Sequence, residues 1–249
     1  MALSRRTTVW SDEFDRPAGT PPDAGSWGFE LGDGSTYGIP GWGNEELQWY
    51  TSAPENVAHD GRGNLAVTAH ADTERGYTSA RLVTKGKVEL RFGRIEARAR
   101  VAAGAGMWSA IWLLGTNIDS VPWPGCGEID VMEHVARLPE RVFGTVHGPG
   151  YSGAAGVSGN SDLTGDPTGD FHVYAAEWTP KRIEWSVDGS VYHAVTPDDV
   201  PGEWVFGDRS FYLLINLAVG GEFGGAVGAD TTFPQSLLVD YVRVYASLT

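Results

Sequence analysis

Alternation, and not helical periodicity, governs this chain. In "RIEARARV" (Arg94 to Val101), Ile95, Ala97, Ala99 and Val101 fall on one side of an extended strand, and Arg94, Glu96, Arg98 and Arg100 on the other. A two-residue period of this kind belongs to a strand with one buried face, whereas an amphipathic helix repeats every 3.6 residues. "RIEWSVDGSVYHAV" (Arg182 to Val195) reads as two such strands joined at Asp188-Gly189, a pair suited to the positive φ angles of a tight hairpin turn. Further strands are predicted in "NLAVTAHA", "SARLVTKGKVEL", "GMWSAIWLLG", "RVFGTVHG", "FHVYAAEW", "FYLLINLAVG" and "LLVDYVRVYA". Short runs separated by Gly, Pro and Asp specify an all-β antiparallel sandwich or barrel. No internal repeat or linker divides the 249 residues, so one domain, residues 1–249, is expected. The least strand-like stretch, Gly148 to Asp170, is predicted as a long surface loop, and such loops are often functional.

The formal charge of −14 argues against nucleic acid or an anionic membrane as partner and suits a neutral substrate. No run approaches the roughly 20 apolar residues of a membrane-spanning helix. Cys126 is the only cysteine, so no internal disulfide framework exists.

The stretch "GEIDVMEH" (Gly127 to His134) gathers three acids around strand-forming residues. Glu128 and Asp130 share a face by alternation, but Glu133 falls one residue late. A β-bulge at Val131 or Met132 would return Glu133 to the acidic face, because two residues then oppose one on the neighbouring strand. The outer Cα atoms would stand roughly 13 Å apart. Long glutamate side chains leaning together would bring their carboxyls to about 5.5 Å, the separation that suits glycoside cleavage with retention. The shorter Asp130 would sit between them as an electrostatic partner. Crowded negative charge raises the pKa of one carboxyl while hydrogen bonds keep another ionised. Spacing leaves open which glutamate plays which role. Three acids and a histidine would also serve a divalent metal, but no His-x-x-x-His or comparable metal motif accompanies them.

The acidic stretch resembles the Glu-x-Asp-x-x-Glu signature of glycoside hydrolase family 16, in its laminarinase-like endo-β-1,3-glucanase branch. The likeness extends over "VWSDEFD", "GWGNEELQWYT", "YTSARLVTKGK", "FGRIEARARV", "GMWSAIWLLG", "WPGCGEIDVMEHV", "GTVHGPGYSG" and "DYVRVY". It implies a β-jelly-roll sandwich of two antiparallel sheets with a concave substrate cleft. It further implies retaining hydrolysis of laminarin-like β-glucan, with Glu128 as nucleophile, Glu133 as general acid/base and Asp130 tuning the nucleophile. Mixed β-1,3/1,4-glucans are a further expected substrate, and catalysis is expected to need no cofactor. Non-hydrolytic glucan-binding relatives typically lack these acids. Relatives acting on agarose or sulfated galactans share the triad, but a sulfated polymer would call for a basic cleft.

Alternation places Trp108 and Trp112 on one strand face, either stacking on sugar rings in the cleft, as the family favours, or filling the core. Trp123 resembles a sugar-stacking position of the family, while Trp178 and Trp185 are assigned to the core. His147 lies on the strand after the acids, so next-strand pairing would set it beside them. His134 follows Glu133 and alternates to the opposite side, a supporting position. By resemblance Asn44 and Arg81 bind substrate hydroxyls, or else brace their loops; Glu46 has weaker support, and Glu45 stands where the family commonly has Asn. The resemblance also implies a stabilising Ca²⁺ on the convex side, held by Asp240 with Glu13 and Gly61 as carbonyl donors; the competing reading pairs Asp240 with an arginine. A polymeric substrate implies a secreted, monomeric protein, and "MALSRRTTVW" lacks the apolar core of a leader, which is expected to have been removed.

Overall fold

The computed structural model describes residues 6–166 and 168–247. Residues 1–5 of "MALSRRTTVW" and Pro167 of the Gly148–Asp170 stretch lie outside them. Two twisted sheets face each other. The front sheet runs in the order Val157–Asp162, Arg141–His147, Glu128–Val135, Met107–Gly115, Phe211–Val219, Arg81–Val83 and Gly28–Phe29, with Glu89–Leu90 also paired to Phe211–Val219. The back sheet runs Ser190–Val195, Arg182–Val187, His172–Thr179, Gly93–Arg100, Gln235–Tyr245, Leu65–Asp72, Gly76–Ser79 and Gln48–Tyr50, flanked by Thr8–Asp12 and Val57–His59. Every named pairing is antiparallel except Gln48–Tyr50 with Gly76–Ser79, which is parallel.

The pattern read from "RIEARARV" holds to the residue. Ile95, Ala97 and Ala99 are fully buried, while the intervening charged residues are half-buried on the outer face. Opposite them, Ile129, Val131, Met132, Leu213, Ile215 and Leu217 complete one apolar cluster between the sheets, with Trp178 and Trp185 inside it. Burying each such large side chain contributes roughly 1.5–3 kcal/mol. Asp188 and Gly189 both take positive φ at their hairpin, as that turn requires.

Two expectations are corrected. "SARLVTKGKVEL" is not one strand but the end of Gly76–Ser79, then Arg81–Val83 and Glu89–Leu90, divided by a turn at which the backbone N–H groups of Lys87 and Val88 both bond to the Thr84 carbonyl. The Gly148–Asp170 stretch is not a loop throughout. Val157–Asp162 pairs antiparallel with Arg141–His147 as the outermost front strand. Its Gly, Ser, Asn and Asp residues carry little strand propensity, and pairing with a neighbour supplies what composition lacks.

Candidate active site

The bulge forms where the misplaced glutamate requires it. Along Met107–Gly115, Ile111 faces Met132 and Trp112 faces Asp130, which leaves Val131 as the extra residue. On the other side Asp130 faces Thr145 and Glu133 faces Phe143, so Val131 and Met132 together oppose Gly144. Glu128 and Glu133 therefore stand opposite Leu114 and Ala110, four residues apart, or roughly 13 Å at the rise of a strand. Glu128, Asp130 and Glu133 share the front face, while Val131 and Met132 point into the core.

The bulge is braced from the other sheet. Trp185, fully buried, donates its indole N–H to the backbone carbonyl of Asp130 at 2.7 Å. Gly144 leaves room for this contact, since a Cβ there would overlap the Trp185 ring.

Each acid has its own partner. Trp123 Nε1 donates to Glu128 at 2.8 Å, and Trp108 Nε1 donates to Glu133 at 3.1 Å. His147 is the cross-strand neighbour of Glu128; its Nε2 stands 3.2 Å from Asp130 Oδ2 and 3.8 Å from Glu128 Oε1. Gly156, from the segment after His147, backs onto the imidazole. Burial, then the charge of Asp130, pushes the Glu128 pKa up to about 8. The same two causes, in the same order, raise Glu133 well above the ordinary carboxylate range. Burial opposes the imidazolium of His147, but its hydrogen bond to Asp130 and the surrounding carboxylates outweigh this and push its pKa up to about 10. One cation thus sits among three acids.

Glu128, Asp130 and His147 present atoms within 4.8 Å of one another and are the group of described residues able to hold a metal ion.

The remaining predicted positions divide. Trp112 faces the same side as the acids and donates to Asn216 Oδ1 at 2.8 Å. Arg81, 8% exposed, is wedged between the Trp42 and Trp112 rings, 4.4 and 4.8 Å from their centroids, and forms an ion pair with Glu30 at 2.7 Å. Asn44 donates to Glu46, whose carboxylate also accepts from Gln48 and Tyr50. Glu46 is thus the hub of its loop. Glu45 adopts φ +58°, a left-handed conformation that asparagine accepts more readily than glutamate. Trp123 is 43% exposed at the cleft mouth. His134 is buried on the far side, bonded to the Pro139 carbonyl.

Sequence reasoning passed over Asn216, which joins Trp112 to Tyr50 and through it to Glu46. Its signal was present: it is the one polar side chain, beyond Tyr212, in the wholly buried strand Phe211–Val219.

On the back sheet, Asp240 is the extra residue where the pairing shifts between Val239 and Tyr241, and Arg98 engages its carboxylate at 2.5 Å. The Glu13 carboxylate is held by Arg243. Gly61 packs against Ala18, in a segment tied to His59 by backbone hydrogen bonds.

A family model described as glycosyl hydrolases family 16 matches residues 43–241. The chain belongs to this family. Family 16 relatives align along nearly all of it. The beta-glucanase of Rhodothermus marinus is 45% identical over 95% of this chain and 84% of its own length. Among solved structures, the laminarinase catalytic domain of Thermotoga maritima superposes with a TM-score of 0.91 at 43% identity, covering 98% of this chain and 99% of that one. The endo-beta-1,3-glucanase of Pyrococcus furiosus gives 0.89 at 44%, covering 97% and 95%. The sandwich is accordingly the jelly roll of family 16 laminarinases.

Proposed function

We propose that this family 16 glycoside hydrolase cleaves internal β-1,3-glucosidic bonds of laminarin-like glucans with retention of configuration. The observation that carries the reading is the bulge, which returns Glu133 to the face of Glu128 and Asp130. The names of the relatives just described supply the β-glucan substrate.

Glu128 is the nucleophile. Both glutamates accept an indole N–H, but Glu128 alone has the His147 imidazole within 4 Å, the neighbour that favours its anion. Glu133, whose pKa burial and the Asp130 charge raise, donates its proton to the departing glycosidic oxygen and then, as a carboxylate, takes one from water. Asp130 keeps His147 charged and, through its negative charge, keeps the Glu133 proton in place. Trp112 and Trp123 stack on sugar rings, while Asn44 and Arg81 bind hydroxyls. Hydrolysis is favoured over mere glucan binding because a binding protein has no use for three crowded acids. The chain acts as a monomer and works outside the cell, where the polymer is.

A stabilising Ca²⁺ at Glu13, Gly61 and Asp240 is part of the proposal. Supporting it, Asp240 bulges out of Gln235–Tyr245, the strand whose later residues pair with Thr8–Asp12 just before Glu13. Carbonyl and carboxylate oxygens suit this ion, although Arg98 competes for Asp240. Chelation should lower the Tm and leave kcat unchanged; an unaltered Tm would remove the ion.

The function is tested by reducing-sugar release from laminarin, lichenan, xyloglucan and agarose side by side. Fast release from laminarin as a ladder of oligosaccharides is expected. Cleavage of agarose or xyloglucan alone would overturn the substrate, and binding without release would overturn hydrolysis.

A further inference from the structure

Among the described residues, eight large hydrophobic side chains are exposed, and five of them fall in one short span: Leu31, Tyr37, Ile39, Leu47 and Trp49. A concentration of this kind on a charged surface marks a binding face more often than chance exposure. The same span borders a groove of about 430 Å³, within the roughly 300–1,000 Å³ typical of small-molecule sites. Its walls include Asp33, Glu46, Leu47, Trp49, Glu74 and Arg75.

Trp49 is presented outward by its strand. Gln48 and Tyr50 on either side are buried, whereas Trp49 keeps 39% of its surface exposed on the outermost strand of the back sheet. The Arg75 guanidinium lies over one face of the indole, 5.3 Å from the ring centroid, and the exposed remainder of the ring borders the groove.

Glu46 and Gly221 stand between the groove and the cleft-side Trp108. Glu46 forms the groove's inner wall and also faces the cleft side: a Cβ on Gly221 would touch both Glu46 Cγ and the Trp108 ring at 3.4 Å. Trp108 in turn holds Glu133. A chain leaving the acids past Asn44 would cross this rim to reach Leu47 and Trp49.

We propose that this groove is a distal subsite holding glucosyl units of the same neutral β-glucan whose cleavage takes place at the acids, an inference that rests on the function proposed above. A glucosyl ring offers a C–H face and a rim of equatorial hydroxyls. The indole of Trp49 meets the first, while Arg75 and Glu74 supply a donor and an acceptor for the second. Three acids to one arginine along the walls disfavour a sulfated or carboxylated glycan and select a neutral one.

Trp49→Ala and Arg75→Ala are compared with the parent on laminarin and on a β-1,3-linked trisaccharide, with Tm as a check on folding. In parallel, migration through laminarin-containing gels is measured for Glu128→Gln with and without Trp49→Ala. The subsite predicts a KM for laminarin raised about 5- to 10-fold, kcat within about 2-fold, a smaller effect on the trisaccharide, and weakened gel retardation. An unchanged laminarin KM and unchanged retardation would overturn it, as would equal losses on both substrates with a lowered Tm. If the parent released no sugar from any β-1,3-glucan, the hydrolytic reading would fall, whereas the gel experiment would still read the groove.

Discussion

The two sheets use the same alternation to opposite ends. On the outer face of the back sheet, acids are matched by arginines: Glu96 with Arg94, Asp240 with Arg98, Glu13 with Arg243, Glu177 with Arg6 and Glu184 with Arg182. On the front face, Glu128, Asp130 and Glu133 share one imidazolium and are sunk among tryptophans. Neutralised, half-exposed pairs are cheap to keep and contribute little, typically about 0–1 kcal/mol each. The crowded acids hold two carboxyls away from their ordinary pKa, a cost that a folding protein has no reason to bear unless the charges are used. The difference lies in partners, not in strand geometry.

The largest break in the comparison is Glu128→Gln. It should lower kcat by roughly 10⁴-fold or more with near-normal far-UV circular dichroism, because Glu128 is the nucleophile of the proposed mechanism; wild-type-like turnover would remove Glu128 from the mechanism. Trp185→Phe keeps the buried ring but deletes the donor to the Asp130 carbonyl. Loss of the brace should loosen the bulge, reducing kcat roughly 10-fold at little change in KM, and cost about 1–2 kcal/mol on a denaturant curve. A drop in stability with unchanged kcat would show that the indole N–H serves folding alone.

His147→Gln sharpens the electrostatic side. The His147 charge pulls the pKa values of both Glu128 and Glu133 down. Without it both rise, so the entire pH profile of kcat/KM should move to higher pH, by roughly one unit. A shift to lower pH would contradict the assignment. Stability gives an independent reading. Glu133 has a raised pKa in the folded protein, so between its unfolded value near 4.5 and its folded value the native state binds more protons than the unfolded one. Stability contributed by this group is present below that window and is lost as pH rises through it. Glu133→Gln should therefore raise Tm by roughly 2–6 °C at pH 8 and by little at pH 4. The back-sheet counterpart, Asp240→Asn, should change stability in metal-free protein by only about 1 kcal/mol or less, since its pair with Arg98 is partly exposed.

Much of this contrast was legible in the residues. Strands with one buried face announced themselves, and the late Glu133 announced a bulge. Next-strand pairing brought His147 to Glu128 because the connection is short. What alternation cannot show is contact between sheets. Trp185 was correctly read as core, but its bond to Asp130 depends on how two distant strands stack. The strand Val157–Asp162 escaped for a related reason: its stability comes from a neighbour, and its small polar residues read as loop. Asn216 was visible as a polar residue in an apolar strand, yet only the fold shows Trp112 and Tyr50 on either side of it.

The most direct test of the account is to follow laminarin cleavage by ¹H NMR and record which anomer appears first. Retention through Glu128 and Glu133 predicts new reducing ends that are initially β and mutarotate to α later. Initial α-anomers, or no new reducing ends, would contradict the pairing of the two glutamates across the bulge.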